Sequence, residues 1–262
     1  LFTHQHVDMV SLARTLSACG SVSAIAEVRQ QIQRVVSAML AQGASGRQLT
    51  RLITQLNDVA VRRVLDLARQ TEPQTLPTIT WLAFGSEARA EQTLHTDQDN
   101  ALLFDVAPGD TAAAQRNTQF LHALAQVALG FRPALGLIRS FATRRAEQGR
   151  LLDLKKNGLQ SFVAATRTLA LANGLTLPNT EERLDALAAM GVLDPRDSSA
   201  WTEAFSFLQV LRMRAHQQQS EQGLALSNEI DPDSLNPLDR RILKEALRQA
   251  QRLHDRLKLD YS

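Results

Sequence analysis

Two aspartates separated by one residue, Asp97 and Asp99, follow closely on a Gly85-Ser86 pair, and these four residues are the ones in this chain best suited to chemistry. Successive side chains of a strand point to opposite faces, so on an extended segment Asp97 and Asp99 share a face and Gln98 takes the other. Their backbones would lie roughly 6–7 Å apart, close enough for the two carboxylates to hold a pair of divalent ions about 4 Å apart. Mg²⁺ suits such a site, because it takes oxygen ligands, keeps several waters and completes its shell with substrate phosphates. Gly85 allows close backbone approach, and Ser86 adds a hydroxyl beside the amides of the following turn. A helix starting there favours a triphosphate at its N-terminus, with the planar donor fork of Arg89 aimed at the same phosphates.

Taken singly, these features are weak. An isolated Asp-x-Asp is most often a solvated strand end, and Gly-Ser pairs are commoner still. The order carries the argument: apolar Ile79–Phe84, then Gly-Ser, a short polar link, then Asp-x-Asp running into Ala101-Leu102-Leu103-Phe104. Two carboxylates at the mouth of a buried strand repel each other and are poorly solvated without cations, which favours the metal reading.

Helices must position this cluster. Apolar residues at helical spacing predict helices over Val7–Leu16 and Val22–Leu40, with Gly43 as a stop. Ser45 caps a third, whose core face includes Leu49, Leu52, Leu56, Val59 and Val64. Thr71-Glu72-Pro73-Gln74 ends it, and Pro77 leads into the first strand. After the second strand, Pro108-Gly109-Asp110 turns into a helix over Thr111–Ala128. Further helices are expected over Leu159–Leu171, Thr180–Met190, Pro195–Gln219 and Pro237–Leu257, the last two started by Asp194-Pro195 and Asn236-Pro237. No β-rich run stands out between Asp105 and Asp153.

The run Gly85-Ser86-Glu87-Ala88-Arg89-Ala90-Glu91-Gln92, continued by Thr96-Asp97-Gln98-Asp99-Asn100-Ala101-Leu102, resembles the signature of bacterial nucleotidyltransferases related to the N-terminal part of protein-PII uridylyltransferase. Leu152-Asp153-Leu154-Lys155-Lys156-Asn157-Gly158-Leu159 is similar to the element that leads into that family's C-terminal helical substrate-binding domain. The resemblance implies an α+β chain: an N-terminal helical segment over 1–75, a nucleotidyltransferase-type mixed sheet with flanking helices over 76–130, and a C-terminal all-α bundle over 131–262. It also implies that Gly85 and Ser86 contact nucleotide phosphates, that catalytic Asp97 and Asp99 hold two Mg²⁺ ions, and that Arg89 and Glu91 shape the turn or touch phosphate. Lys155 reaches the nucleotide or a partner's acidic surface, or is simply an exposed basic turn with Lys156. The expected reaction moves a nucleoside monophosphate from an NTP (UTP or ATP) to an acceptor hydroxyl, by analogy on a small signalling protein. The alternative is a catalytically inactive module that binds nucleotide or protein and relays signals from upstream cyclic-nucleotide-binding or CBS sensor domains, whose absence would explain a start at Leu1. A homodimer fits either.

The family's long segment with an Asn-Pro-x-Trp stretch, and with it a third carboxylate, is missing here. The join falls near Gln115-Arg116-Asn117. Either the chain is a natural deletion and inactive, or a segment is passed over at the join; the second is expected, with Cα atoms between Ala107 and Leu124 spaced well beyond the bonded distance of about 3.8 Å.

With 262 residues and a hydrophobic fraction of 44%, the chain can build two modest cores. A near balance of 29 basic and 27 acidic residues argues against nucleic acid. A single cysteine, Cys19, rules out an intrachain disulfide and points to a reducing cytoplasm. No apolar run is long enough for a bilayer, and no signal peptide is visible. His4, His6 and His95 are too scattered for a metal site. Arg212, Arg214 and His216 are expected on a solvated face or paired with nearby acids, rather than on an RNase-like helix, Trp81 and Trp201 in cores, and Arg240–Arg256 on a salt-bridged basic surface.

Overall fold

The computed structural model of the chain describes residues 2–71, 79–95, 99–104, 125, 133, 141, 144–146 and 149–261. These fall into two units, Leu1–Ala107 and Pro108–Ser262. In the first, three helices, α1 (Phe2–Ala18), α2 (Val22–Ala41) and α3 (Gly46–Thr71), precede a strand pair. Ser21 caps α2 by accepting from the Ala24 amide, and Ile25, Val28, Ile32, Val36 and Leu40 then recur at helical spacing as its buried stripe. Ser45 and Gln48 form a reciprocal capping box at the start of α3: the Ser45 amide donates to Gln48 Oε1 at 2.9 Å, and the Gln48 amide to Ser45 Oγ at 3.3 Å. The expected core face of α3 holds at Leu49, Leu52 and Leu56, joined by Ile53, while Val59 and Val64 are only half-buried.

Strand β1 (Ile79–Ala83) pairs antiparallel with β2 (Asn100–Phe104), in register from Ile79 opposite Phe104 to Ala83 opposite Asn100. A single helical turn, α4 (Gly85–Ala88), follows β1. The chain is thus α+β, and among the described residues the sheet of this unit is this antiparallel pair.

The second unit corrects two expectations. The stretch before Asp153 does contain strands, β3 (Arg144–Ala146) and β4 (Gly149–Asp153), and the C-terminal region is not all-α, because β5 (Glu229–Ile230) completes a sheet of order β3-β4-β5. Arg144-Arg145-Ala146 and a strand of two residues are too short and too polar to show a period of two. Leu152 opposite Ile230 anchors the sheet, both side chains buried in the helical core. After Asp153 the chain makes a π-helical turn, Lys155–Leu159, and continues as α5 (Gln160–Ala172). Gly158 lets this turn lie close against Leu208: a Cβ there would meet its Cδ1 at 3.1 Å.

Helices α6 (Thr180–Ala189), α7 (Pro195–Glu221) and α8 (Pro237–Tyr261) complete the unit. Asp194 caps the amide of Arg196, and Asn236 that of Asp239, each at 2.8 Å with proline at the first helical position as expected. Arg212 and His216 are buried rather than solvated, 5% and 0% exposed, with Arg212 Nε donating to Asn228 Oδ1. Arg214 alone is on the surface, 3.6 Å from Asp239. The α7 stripe is wider than the polar letters suggested, and the approach to β5 is bonded to one flank of it through Arg212–Asn228 and Gln219–Ser227. Along α8, Arg248 pairs with Glu245 and Arg256 with Asp260, both at 2.9 Å. Among the described residues, no helix is long and apolar enough to cross a membrane. The helix expected over Thr111–Ala128 lies outside the described residues except for Ala125, which is helical and buried. The spacing expected between Ala107 and Leu124 likewise lies outside them.

Candidate functional site

Apolar β1 delivers the chain to a tight turn against the head of β2. Phe84, in extended conformation, donates its amide to the Asp99 carbonyl at 2.6 Å, which carries the strand pairing one step beyond Ala83 and Asn100. Asp99 is therefore fixed by its backbone just before β2, with its side chain exposed. Gly85 adopts φ of 55°, in the left-handed region that side chains resist. A methyl group there would collide with the Asp99 carboxylate, its carbon 2.8 Å from Cγ. Glycine is what lets the turn back directly onto that carboxylate.

The turn is closed by its own backbone. Ala88 donates to the Phe84 carbonyl at 3.1 Å, Ala90 to Glu87 at 2.9 Å, and Glu91 to Ser86 at 2.8 Å. Ala90 is the one described non-glycine residue at positive φ, 54°. Arg89 Nε donates to Glu91 Oε2 at 2.8 Å, the glutamate only 4% exposed. The next residues are tied to α3: the Gln92 amide donates to Thr54 Oγ1 at 3.1 Å, and Asn57 Nδ2 to Gln92 Oε1 at 3.0 Å. The turn thus inherits the rigidity of a long helix.

Gly85, Ser86, Arg89, Glu91 and Asp99 belong to this one unit, and Gly85 abuts Asp99. Asp97 lies outside the described residues. Lys155 stands in the π-helical turn of the second unit, half-buried. The helix expected after Ser86 is a single turn of four residues, too short for an aligned macrodipole. Among the described residues, no three His, Cys, Asp or Glu side chains are grouped to hold a metal. The tethers through Thr54, Asn57 and Gln92 gave no signal in the sequence, since they depend on α3 packing beside the turn.

Glu87 is a further residue that spacing did not single out. It is 8% exposed. Burial pushes its carboxyl above the usual glutamate range, and the negative charges of Asp58 and Asp99 push it further the same way. A carboxyl whose pKa is higher folded than unfolded stabilises most below its unfolded value, and that stability is lost as pH rises through the folded one. Glu87→Gln is therefore expected to raise the urea midpoint of the metal-free protein at about pH 7 and to leave it nearly unchanged near about pH 3, where the carboxyl is protonated in both states. Unfolding followed at Trp81 in a Trp201→Phe background reads this unit alone. Equal midpoints at the higher pH would show that the charge costs nothing there.

Comparison with known proteins adds two family models. One, described as "Putative nucleotidyltransferase DUF294", matches residues 30–139. The other, described as "Putative nucleotidyltransferase substrate binding domain", matches residues 118–261. No curated protein and no solved structure matches the chain.

Proposed function

The chain belongs to the DUF294 family of putative nucleotidyltransferases with their substrate-binding domain, and from that membership we propose that it transfers a nucleoside monophosphate from an NTP to an acceptor hydroxyl. The observation that carries this reading is Gly85 backed against the Asp99 carboxylate at the head of β2. It leaves a hard oxygen donor exposed beside a backbone turn that has no side chain in the way. Asp99, with Asp97, would hold Mg²⁺, whose chemistry is to neutralise phosphate charge and lower the acceptor's pKa. Such oxygen donors, with water and phosphate completing the shell, fit that ion.

Within this reading the residues have separate roles. The Phe84 bond to the Asp99 carbonyl fixes the backbone that carries the carboxylate, which would limit reorganisation when charge develops. Ser86 and the neighbouring amides receive the outer phosphates. Arg89 and Glu91, paired to each other, hold the turn's shape. Residues 76–130 would form the nucleotide half and 131–262 the acceptor half, with a hydroxyl on a signalling protein as the acceptor and UTP or ATP as donor.

The test titrates each NTP with Mg²⁺ onto the full chain and onto Asp99→Asn, with pyrophosphate measured in the same samples. Metal-dependent binding and pyrophosphate release are expected from the native chain. Release should drop about 10³-fold in the variant, since several kcal/mol of charge stabilisation leave with the ligand. Binding without release would make the chain a nucleotide-binding regulatory module. Folded protein that binds no NTP would rule out both.

A further inference from the structure

Within the first unit, the three N-terminal helices, β1 and the turn after it line a half-open cavity of about 380 Å³. Its walls are mostly aliphatic, with Leu16, Ile25 and Val64 among them, and the Trp81 ring forms part of the lining. Asn57 and Gln92 also line it but are satisfied by their bond to each other. The remaining acid is Glu87. More than nine-tenths buried, its carboxylate has no cation and no hydrogen-bond donor among the described residues, and the charges acting on it, Asp58 and Asp99, are both acidic. The arginines close in sequence are committed elsewhere: Arg89 to Glu91 and Arg63 to the Cys19 carbonyl. Arg29, also on the lining, is exposed.

A buried carboxylate without a partner costs several kcal/mol, and native proteins pair such groups. Water entering from the open side leaves the aliphatic walls without apolar contacts, and those walls offer it few of the two to four polar partners it needs. A bare metal ion is no better, since one carboxylate among hydrocarbons cannot complete its shell. The void calls for one positive charge on an apolar body, and an aromatic ring at its edge attracts such cations.

We propose that this cavity binds a small organic ammonium ion, its charge paired with Glu87 and its apolar body held against the Trp81 ring and the aliphatic walls. Glu87 lies in the same helical turn as Gly85 and Ser86, so occupancy bears on the turn that backs Asp99.

The test needs neither nucleotide nor Mg²⁺, so its outcome is independent of the transferase reading. Trp201→Phe leaves Trp81 as the sole tryptophan of the full chain. Its fluorescence is followed during titration with 2-phenylethylammonium chloride, 2-phenylethanol and 3-phenylpropionate, and calorimetry on the native chain repeats the series without the substitution. The ammonium compound is expected to bind saturably and at least about tenfold more tightly than the isosteric alcohol, as a buried charge pair and a cation–π contact require. Glu87→Gln should erase that preference while leaving the alcohol's affinity alone. Ala60→Phe, which fills the cavity, should remove binding of both, with circular dichroism confirming the fold. Equal affinity for ammonium and alcohol overturns the proposal, as does a preference that survives in Glu87→Gln. So does the absence of saturable binding by folded protein at millimolar ligand.

Discussion

Gly85→Ala is expected to abolish pyrophosphate release while both units stay folded. The substitution adds two separate costs. The first is conformational: alanine at φ of 55° is strained by about 1 kcal/mol. The second is steric, because the new methyl falls on the Asp99 carboxylate. Neither partner can step aside freely, since the Phe84–Asp99 bond holds one strand and the Gln92–Thr54 bond holds the end of the turn. The carboxylate must rotate away from its place at the head of β2. A displacement on the order of 1 Å in a reacting group costs about 10²-fold in rate, and more follows if metal binding is lost. Gly43→Ala separates the two costs. Gly43 has φ of 81° with nothing within 4 Å of the added carbon, so it suffers strain alone. Its urea midpoint should fall with no change in Mg²⁺-dependent NTP binding. If Gly85→Ala matched Gly43→Ala in both assays, the backing of Asp99 by the turn would have no functional weight.

Phe162→Ala should produce the largest loss of stability. Phe162 is 0% exposed and Phe205 2%, their rings set edge to face at 5.9 Å and 70° in the centre of the second unit. Removing a buried phenylalanine ring costs about 3–5 kcal/mol, the loss of transfer energy plus the cavity left behind. That is a large part of a typical domain's roughly 5–15 kcal/mol. Leucine at the same position keeps most of the volume and should cost about 1.5 kcal/mol or less. Urea unfolding followed at Trp201, itself buried in this core, reads the transition directly. A loss under about 1 kcal/mol for the alanine variant would mean that the bundle collapses around the gap, contrary to the close packing of its buried leucines.

Local chemistry made much of this protein legible in its residues. The caps at Ser21, Ser45, Asp194 and Asn236 act within a few residues of the helices they start, so spacing alone located those helices. The stripe of Ile25, Val28, Ile32, Val36 and Leu40 is periodic for the same reason: one face of one helix is buried throughout. The Gly-Ser turn between two apolar strands was equally readable, because a left-handed glycine and an exposed aspartate leave their mark on the local sequence.

What only the tertiary structure decided depends on groups far apart in the chain. Strands β3 and β5 carry too few residues for any pattern, and they exist because Leu152 and Ile230 find a core to enter. Arg212 read as solvated, yet it is buried and bonded to Asn228, 16 residues further on. The tether from Gln92 to Thr54 joins residues 38 apart, and Glu87 became a buried acid lining a cavity only because residues of α1, α2 and α3 pack around it. Sequence determines what each segment prefers over a turn or two of backbone. Burial, and with it the strength of a charge or the need for a partner, is set by whatever else packs alongside.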